Sequence, residues 1–102
     1  MKSKRSKATD IPQKVKQVVW ERDNHCCVIC GNNYNVMPNA HYIPRSKGGL
    51  GIEQNIFTAC TRLTENDCHY KFDNYGIGKE KVKEYLSSIY PNWDEQDLIY
   101  KK

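Results

Sequence analysis

The sequence is poor in apolar residues and has no long run of them. Hydrophobic types make up 38% of its 102 residues, and no stretch approaches the roughly 20 that cross a bilayer. That excludes a membrane-spanning helix. It also excludes a large core, since a chain this short forms one domain at most and buries only part of its surface. The N-terminus, "MKSKRSKATD", is charged and no apolar stretch follows it. A secretory signal is therefore not expected, and the expected compartment is the reducing cytoplasm. The five cysteines are an odd number, which fits poorly with a fully disulfide-bonded scaffold. Charge of one sign is not strongly in excess either: 16 Lys and Arg stand against 12 acids, a net +4. No internal repeat is present.

What excess there is lies at one end. Lys2, Lys4, Arg5 and Lys7 precede the first acid, Asp10. Residues 1–9 read as a disordered basic tail suited to a polyanion, ahead of a single domain over 10–102. Thr9 or Asp10 is placed to cap a helix with Pro12 in its first turn. Ile11, Val15, Val18 and Val19 give that helix an apolar stripe, which ends at Arg22, Asp23 and Asn24. The chain is expected to be extended over 35–43, made irregular by Pro38. Gly48, Gly49 and Gly51 demand a loop. "NIFTAC" reads as a second strand, and "NDCHYKFDNY" begins a helix with Asn66 or Asp67 as its cap. Beyond Gly76 and Gly78, a helical extension over 78–102 is marked by Val82, Tyr85, Leu86 and Ile89 and stopped by Pro91. A short last helix would tuck Trp93 and Leu98 onto the body.

A small domain with a thin core usually carries a staple. Cys27 and Cys30, in "CVICG", have the spacing at which two thiolates reach one metal ion. Cys60 and Cys68 supply a second pair, though seven residues separate them where a tight turn has two. Four thiolates make a closed, structural zinc site. Cys26 reads as a packing residue; a site using Cys26 with Cys30 is the alternative.

The remaining signal is "AHYIPRSKGGLGIEQN", residues 40–55. With the cysteines around it, the order is Cys-x-x-Cys-Gly, a His, a glycine-rich loop, an Asn, then Cys…Cys-His. Over about 15–75 this resembles the HNH endonucleases of the ββα-metal class, in the zinc-knuckle form common in phages and prophages. The resemblance implies a small α+β fold, a ββα-metal core stapled by the four cysteines and flanked by N- and C-terminal helices. It implies a metal-dependent DNA endonuclease working in a bacterial host cell, with other phage packaging proteins as possible partners. His41 would take a proton from water. Asn55 would tie the loop and help orient His41. His69 would ligate the catalytic divalent cation (Mg²⁺, Mn²⁺ or Ni²⁺).

General chemistry supports this assignment, because phosphodiester hydrolysis needs a base near neutral pKa and a cation for the developing charge. Arg45 and Lys47, beside the base, are suited to gripping phosphates. The glycines would let the loop bend and a DNA backbone come close. Two features depart from the family pattern. Ala40 stands where many members have an Asp or His that binds the catalytic metal, and "TRLTEND" lengthens the second cysteine pair. Asp73, four residues after His69, offers a second ligand from the same helix face. The competing readings are a zinc-stapled nucleic-acid-binding module without catalysis and a zinc-knuckle scaffold for protein partners.

Overall fold

In the computed structural model, residues 3–101 are described. An antiparallel hairpin forms the frame, with β1 at Val36–His41 and β2 at Ile56–Cys60. Val36 pairs with Cys60 and Met37 with Ala59; after a register shift, Ala40 pairs with Phe57 and His41 with Ile56. Pro38 and Asn39 therefore face Thr58 alone, as in a bulge. Proline has no N–H to give the ladder at this point. Thr58 finds its partners elsewhere: its N–H donates to Asp23 Oδ2 at 2.8 Å, and its carbonyl accepts from Val28 at 2.9 Å. The irregularity expected at Pro38 is thus where segment 23–28 docks.

Among the described residues, four helices surround the hairpin: α1 at Lys4–Thr9, α2 at Gln13–Arg22, α3 at Cys68–Tyr75 and α4 at Lys79–Ile89. Short 3₁₀ turns occupy Arg45–Lys47 and Glu95–Leu98. The first helix corrects the expectation of a disordered tail over 1–9. The Ser3 side chain caps it, accepting from the Ser6 N–H at 3.1 Å, and Thr9 at its end is buried. A helix of six residues has little stability alone, and no apolar stripe marks this one, so packing against the body must hold it. Lys2 of the basic arm lies outside the described residues. With α1 running to Thr9, neither Thr9 nor Asp10 caps α2; Pro12 stands at its N-cap without a side-chain bond. Asp67 precedes α3 as expected, but its side chain makes no capping bond.

The core lies between the hairpin and the C-terminal half. All five residues of β2 are buried. Phe57 meets Phe72 of α3 edge-on at 5.0 Å between ring centroids, and Tyr42 meets Trp93 at 5.4 Å. Val82 and Leu86 of α4, with Leu98, close the cluster. Val19 of the valine stripe is buried, whereas Val18 and Ile89 are exposed.

Arg22 and Asp23, legible in sequence only as a helix end, form a buried ion pair at 2.7 Å. Arg22 also donates to the carbonyls of Glu53 and Ile56 at 2.6 and 2.7 Å, and Asp23 Oδ1 accepts from the Tyr85 hydroxyl at 2.6 Å. Burial works against the Arg22 charge, but its bonds to Asp23 and Tyr90 outweigh that and hold its pKa above the ordinary value. The pair thus ties α2 to both β2 and α4. The result is a small α+β fold of N-terminal helices, hairpin and C-terminal helices. No helix among the described residues is long and apolar enough to cross a membrane.

Candidate active site and cysteine cluster

The turn after α2 carries Cys27 and Cys30, Cys60 ends β2, and Cys68 opens α3. Their four Sγ atoms all lie within 4.8 Å of one another. Sulfurs around a tetrahedral zinc, with bonds of about 2.3 Å, stand roughly 3.8 Å apart, so small shifts close this set on an ion. The Cys30 N–H points at Cys27 Sγ at 3.4 Å, and Asn32 Nδ2 lies 3.6 Å from Cys60 Sγ. Burial raises the pKa of Cys60 and Cys68, and the neighbouring thiols raise them further. Burial opposes ionisation of Cys30 too, but hydrogen bonds from the Asn32 backbone and the cluster outweigh it and bring its thiol to about 7. A cation among these sulfurs relieves the cost of ionising the buried ones.

Cys26 stands apart, its Sγ 3.2 Å from the Asn24 carbonyl. The cluster therefore uses Cys27 and not Cys26. "TRLTEND" is an ordered turn, with the Thr64 N–H donating to the Thr61 carbonyl and the Asp67 N–H to Thr64 Oγ1, both at 3.1 Å.

On the neighbouring surface is a cleft of about 830 Å³, lined by His41 from β1, His69 and Asp73 from α3, and Arg45 and Lys47 from the 3₁₀ turn. His41 is 8% exposed, and its Nε2 lies 2.9 Å from the Thr9 carbonyl oxygen. A carbonyl can only accept, so Nε2 carries the proton, and in the neutral ring the lone pair is on Nδ1. Burial holds the pKa of His41 below its usual 6.5; Arg45 and His69 push the same way, against the Thr9 bond and Asp73. The imidazole is thus kept neutral, the form that accepts a proton.

Asn55 is fully buried and does not line the cleft. Its Oδ1 accepts from the Ile43 N–H at 2.8 Å, and its Nδ2 donates to the carbonyls of Leu50 and Ile43 at 2.8 and 3.2 Å. It ties both ends of the loop that follows β1. His69 Nε2 and Asp73 Oδ2 are 3.2 Å apart, one turn along α3, and both are partly exposed. Two neighbouring ligands on an octahedral ion with bonds of about 2.1 Å stand roughly 3.0 Å apart. The spacing therefore suits an ion pair or a shared cation, and nitrogen with oxygen suits Mn²⁺ or Ni²⁺ as well as Mg²⁺.

Ala40 offers nothing to this cleft: it is fully buried in the core. Arg45 is paired with Asp10, whereas Lys47 is exposed. The glycines correct another expectation. A Cβ on Gly49 would lie 1.7 Å from the Ile43 carbonyl oxygen, and one on Gly51 would lie 1.8 Å from that of Asp10. These two glycines admit the chain's own backbone, not that of DNA. Sequence reasoning also missed Lys16 and Asn39, which line the cleft. Asn39 had a signal, because it precedes His41 by two residues on a strand and shares its face. Lys16 had none beyond its place on the polar side of α2.

No protein-family model, curated protein or solved structure matches this chain.

Proposed function

We propose that this chain is a metal-dependent DNA endonuclease with a ββα-metal core, in which β1, β2 and α3 present the HNH residues. One observation carries the reading: His41 from β1 and His69 and Asp73 from α3 line a single cleft together with cationic side chains. A zinc ion held by Cys27, Cys30, Cys60 and Cys68 would be structural, because four thiolates leave no position for substrate.

In the proposed reaction, His41 Nδ1 takes a proton from water, and the water oxygen attacks phosphorus. The bond from phosphorus to the 3′-oxygen breaks, leaving a 5′-phosphate and, after protonation, a 3′-hydroxyl. His69 and Asp73 would hold the divalent cation, which supplies charge stabilisation for the phosphoryl and leaving oxygens when bound. Lys16, Arg45 and Lys47 would position the DNA backbone. Asn55 acts from beneath, holding the loop that carries Arg45 and Lys47.

Incubating the protein with supercoiled plasmid, with and without added Mn²⁺, tests the reading. Metal-dependent nicking that is lost in His41→Ala is expected. Ala40, which supplies no ligand, favours a second reading, a zinc-stapled nucleic-acid-binding module without catalysis. Tight DNA binding with no cleavage under any divalent metal would establish it in place of the first.

A further inference from the structure

The segment that the sequence presents as a basic tail reaches the candidate base. The Thr9 carbonyl receives His41 Nε2 at 2.9 Å, and the Ala8 carbonyl receives the Gly51 N–H at 2.9 Å. Arg5 donates to the Ser46 carbonyl at 2.9 Å, and Asp10 pairs with Arg45. One contact thus reaches the base and three reach the loop beside it. Thr9 is 3% exposed, so water does not compete for this seam. Gly51 lies so close to Asp10 that any side chain there would collide with the backbone.

We propose that residues 8–10 are a positioning element for His41, with the Thr9 carbonyl fixing the ring's orientation and keeping the proton on Nε2. The inference rests on His41 being the base of the proposed nuclease. Its physical basis is that a free imidazole populates both tautomers, and only the one with its lone pair on Nδ1 can serve while Nε2 faces Thr9. The N-terminal segment therefore acts on turnover, through the base. Short as it is, α1 exists through the contacts that hold it to the loop, so loosening either end loosens the base.

The test uses the full-length protein with its zinc, labelled with ¹⁵N in the histidine rings. Wild-type His41 should show a single neutral tautomer with the proton on Nε2. Gly51→Ala should displace the segment, seen as faster hydrogen exchange at the amide of position 51. It should mix the tautomers and lower kcat for plasmid nicking roughly 10–100-fold, the usual cost of losing an orienting partner, with KM and zinc content unchanged. Arg5→Ala combined with Asp10→Ala cuts the side-chain tethers without crowding Gly51 and should act in the same direction. A wild-type ring protonated on Nδ1 overturns the proposal, as does an unchanged tautomer once the position-51 amide has been freed. Should both variants unfold, the wild-type tautomer decides alone. Absence of cleavage in the wild type sinks the nuclease reading but leaves the tautomer result standing, so the two failures can be told apart.

Discussion

The cysteine cluster and the histidine cleft share one helix but follow opposite designs. Cys68 opens α3 in the cluster, and the next residue, His69, lines the cleft. The cluster is saturated: four like donors, three of them buried, converge within 4.8 Å. The cleft is open, with His69 and Asp73 partly exposed and Ala40 contributing no ligand. The difference teaches that the closed site sets the frame for the open one. An ion clamping Cys60 to Cys68 would fix where α3 starts relative to β2, and so where His69 and Asp73 stand relative to His41.

Breaking the closed site should have the largest effect. Apparent binding energies of structural zinc in small domains run to about 10–16 kcal/mol, more than a thin core supplies. Chelation, or Cys68→Ser, should therefore unfold the chain, seen as loss of helical circular dichroism together with release of one zinc. Cys26→Ser, outside the cluster, should change neither. A folded, metal-free Cys68→Ser protein would separate the two sites and refute the framing role.

The second test tries to complete the open site. The resemblance implies that Ala40→Asp restores a missing metal ligand. The structure implies the opposite, since Ala40 is 0% exposed and packs within the core. An uncompensated carboxylate there costs several kcal/mol. Urea denaturation should show a markedly lower midpoint, with no gain in Mn²⁺ affinity. Tighter metal binding at unchanged stability would mean that β1 can turn this residue towards the cleft.

These two sites also show what the sequence can and cannot express. Cys27 and Cys30 were legible because two ligands three residues apart define a turn by themselves. The two strands were legible from the stretch over 35–43 and from "NIFTAC", and the irregularity of the first from Pro38. The buried pair of Arg22 and Asp23 was not, because its partners, Glu53, Ile56, Thr58 and Tyr85, are distant in sequence. Helix α1 was hidden for the same reason. Its residues carry no apolar period, and much of what holds it is backbone: the carbonyl of Ala8 meets the Gly51 N–H and that of Thr9 meets His41, contacts indifferent to the identity of residues 8 and 9. The loop glycines were seen, but their role was misassigned: spacing alone does not say whose backbone comes close.

Removing the base should act on chemistry alone. His41→Ala is expected to lower kcat by ~10²–10⁴-fold and to leave zinc content and DNA affinity nearly unchanged. The pH profile supplies the sign. In the proposed reaction the neutral ring is the active form, and burial keeps its pKa below 6.5. Wild-type activity should therefore fall on acidification only below that value and be flat above it. A divalent cation held by His69 and Asp73 would push the limb lower still. Wild-type cleavage rates for His41→Ala, or an acid limb above 6.5, would remove His41 from the role.

The smallest effect concerns the two cations of the 3₁₀ turn, which sequence treats as equals. Arg45 is neutralised by Asp10, whereas Lys47 is exposed and makes no ion pair among the described residues. A cation already paired releases fewer counterions from DNA, because part of its charge is spent before the phosphate arrives. Each phosphate newly neutralised contributes about 0.9 to the slope of log K against log salt. Lys47→Ala should flatten that slope by about this amount, and Arg45→Ala by less. Asp10→Asn should steepen it, since it removes the acid that masks Arg45. Fluorescence anisotropy on a short duplex across a salt series measures all three. Equal slopes for Lys47→Ala and Arg45→Ala would show that Asp10 releases Arg45 when DNA binds. The pair would then be a latch opened by substrate, and not a fixed part of the cleft wall.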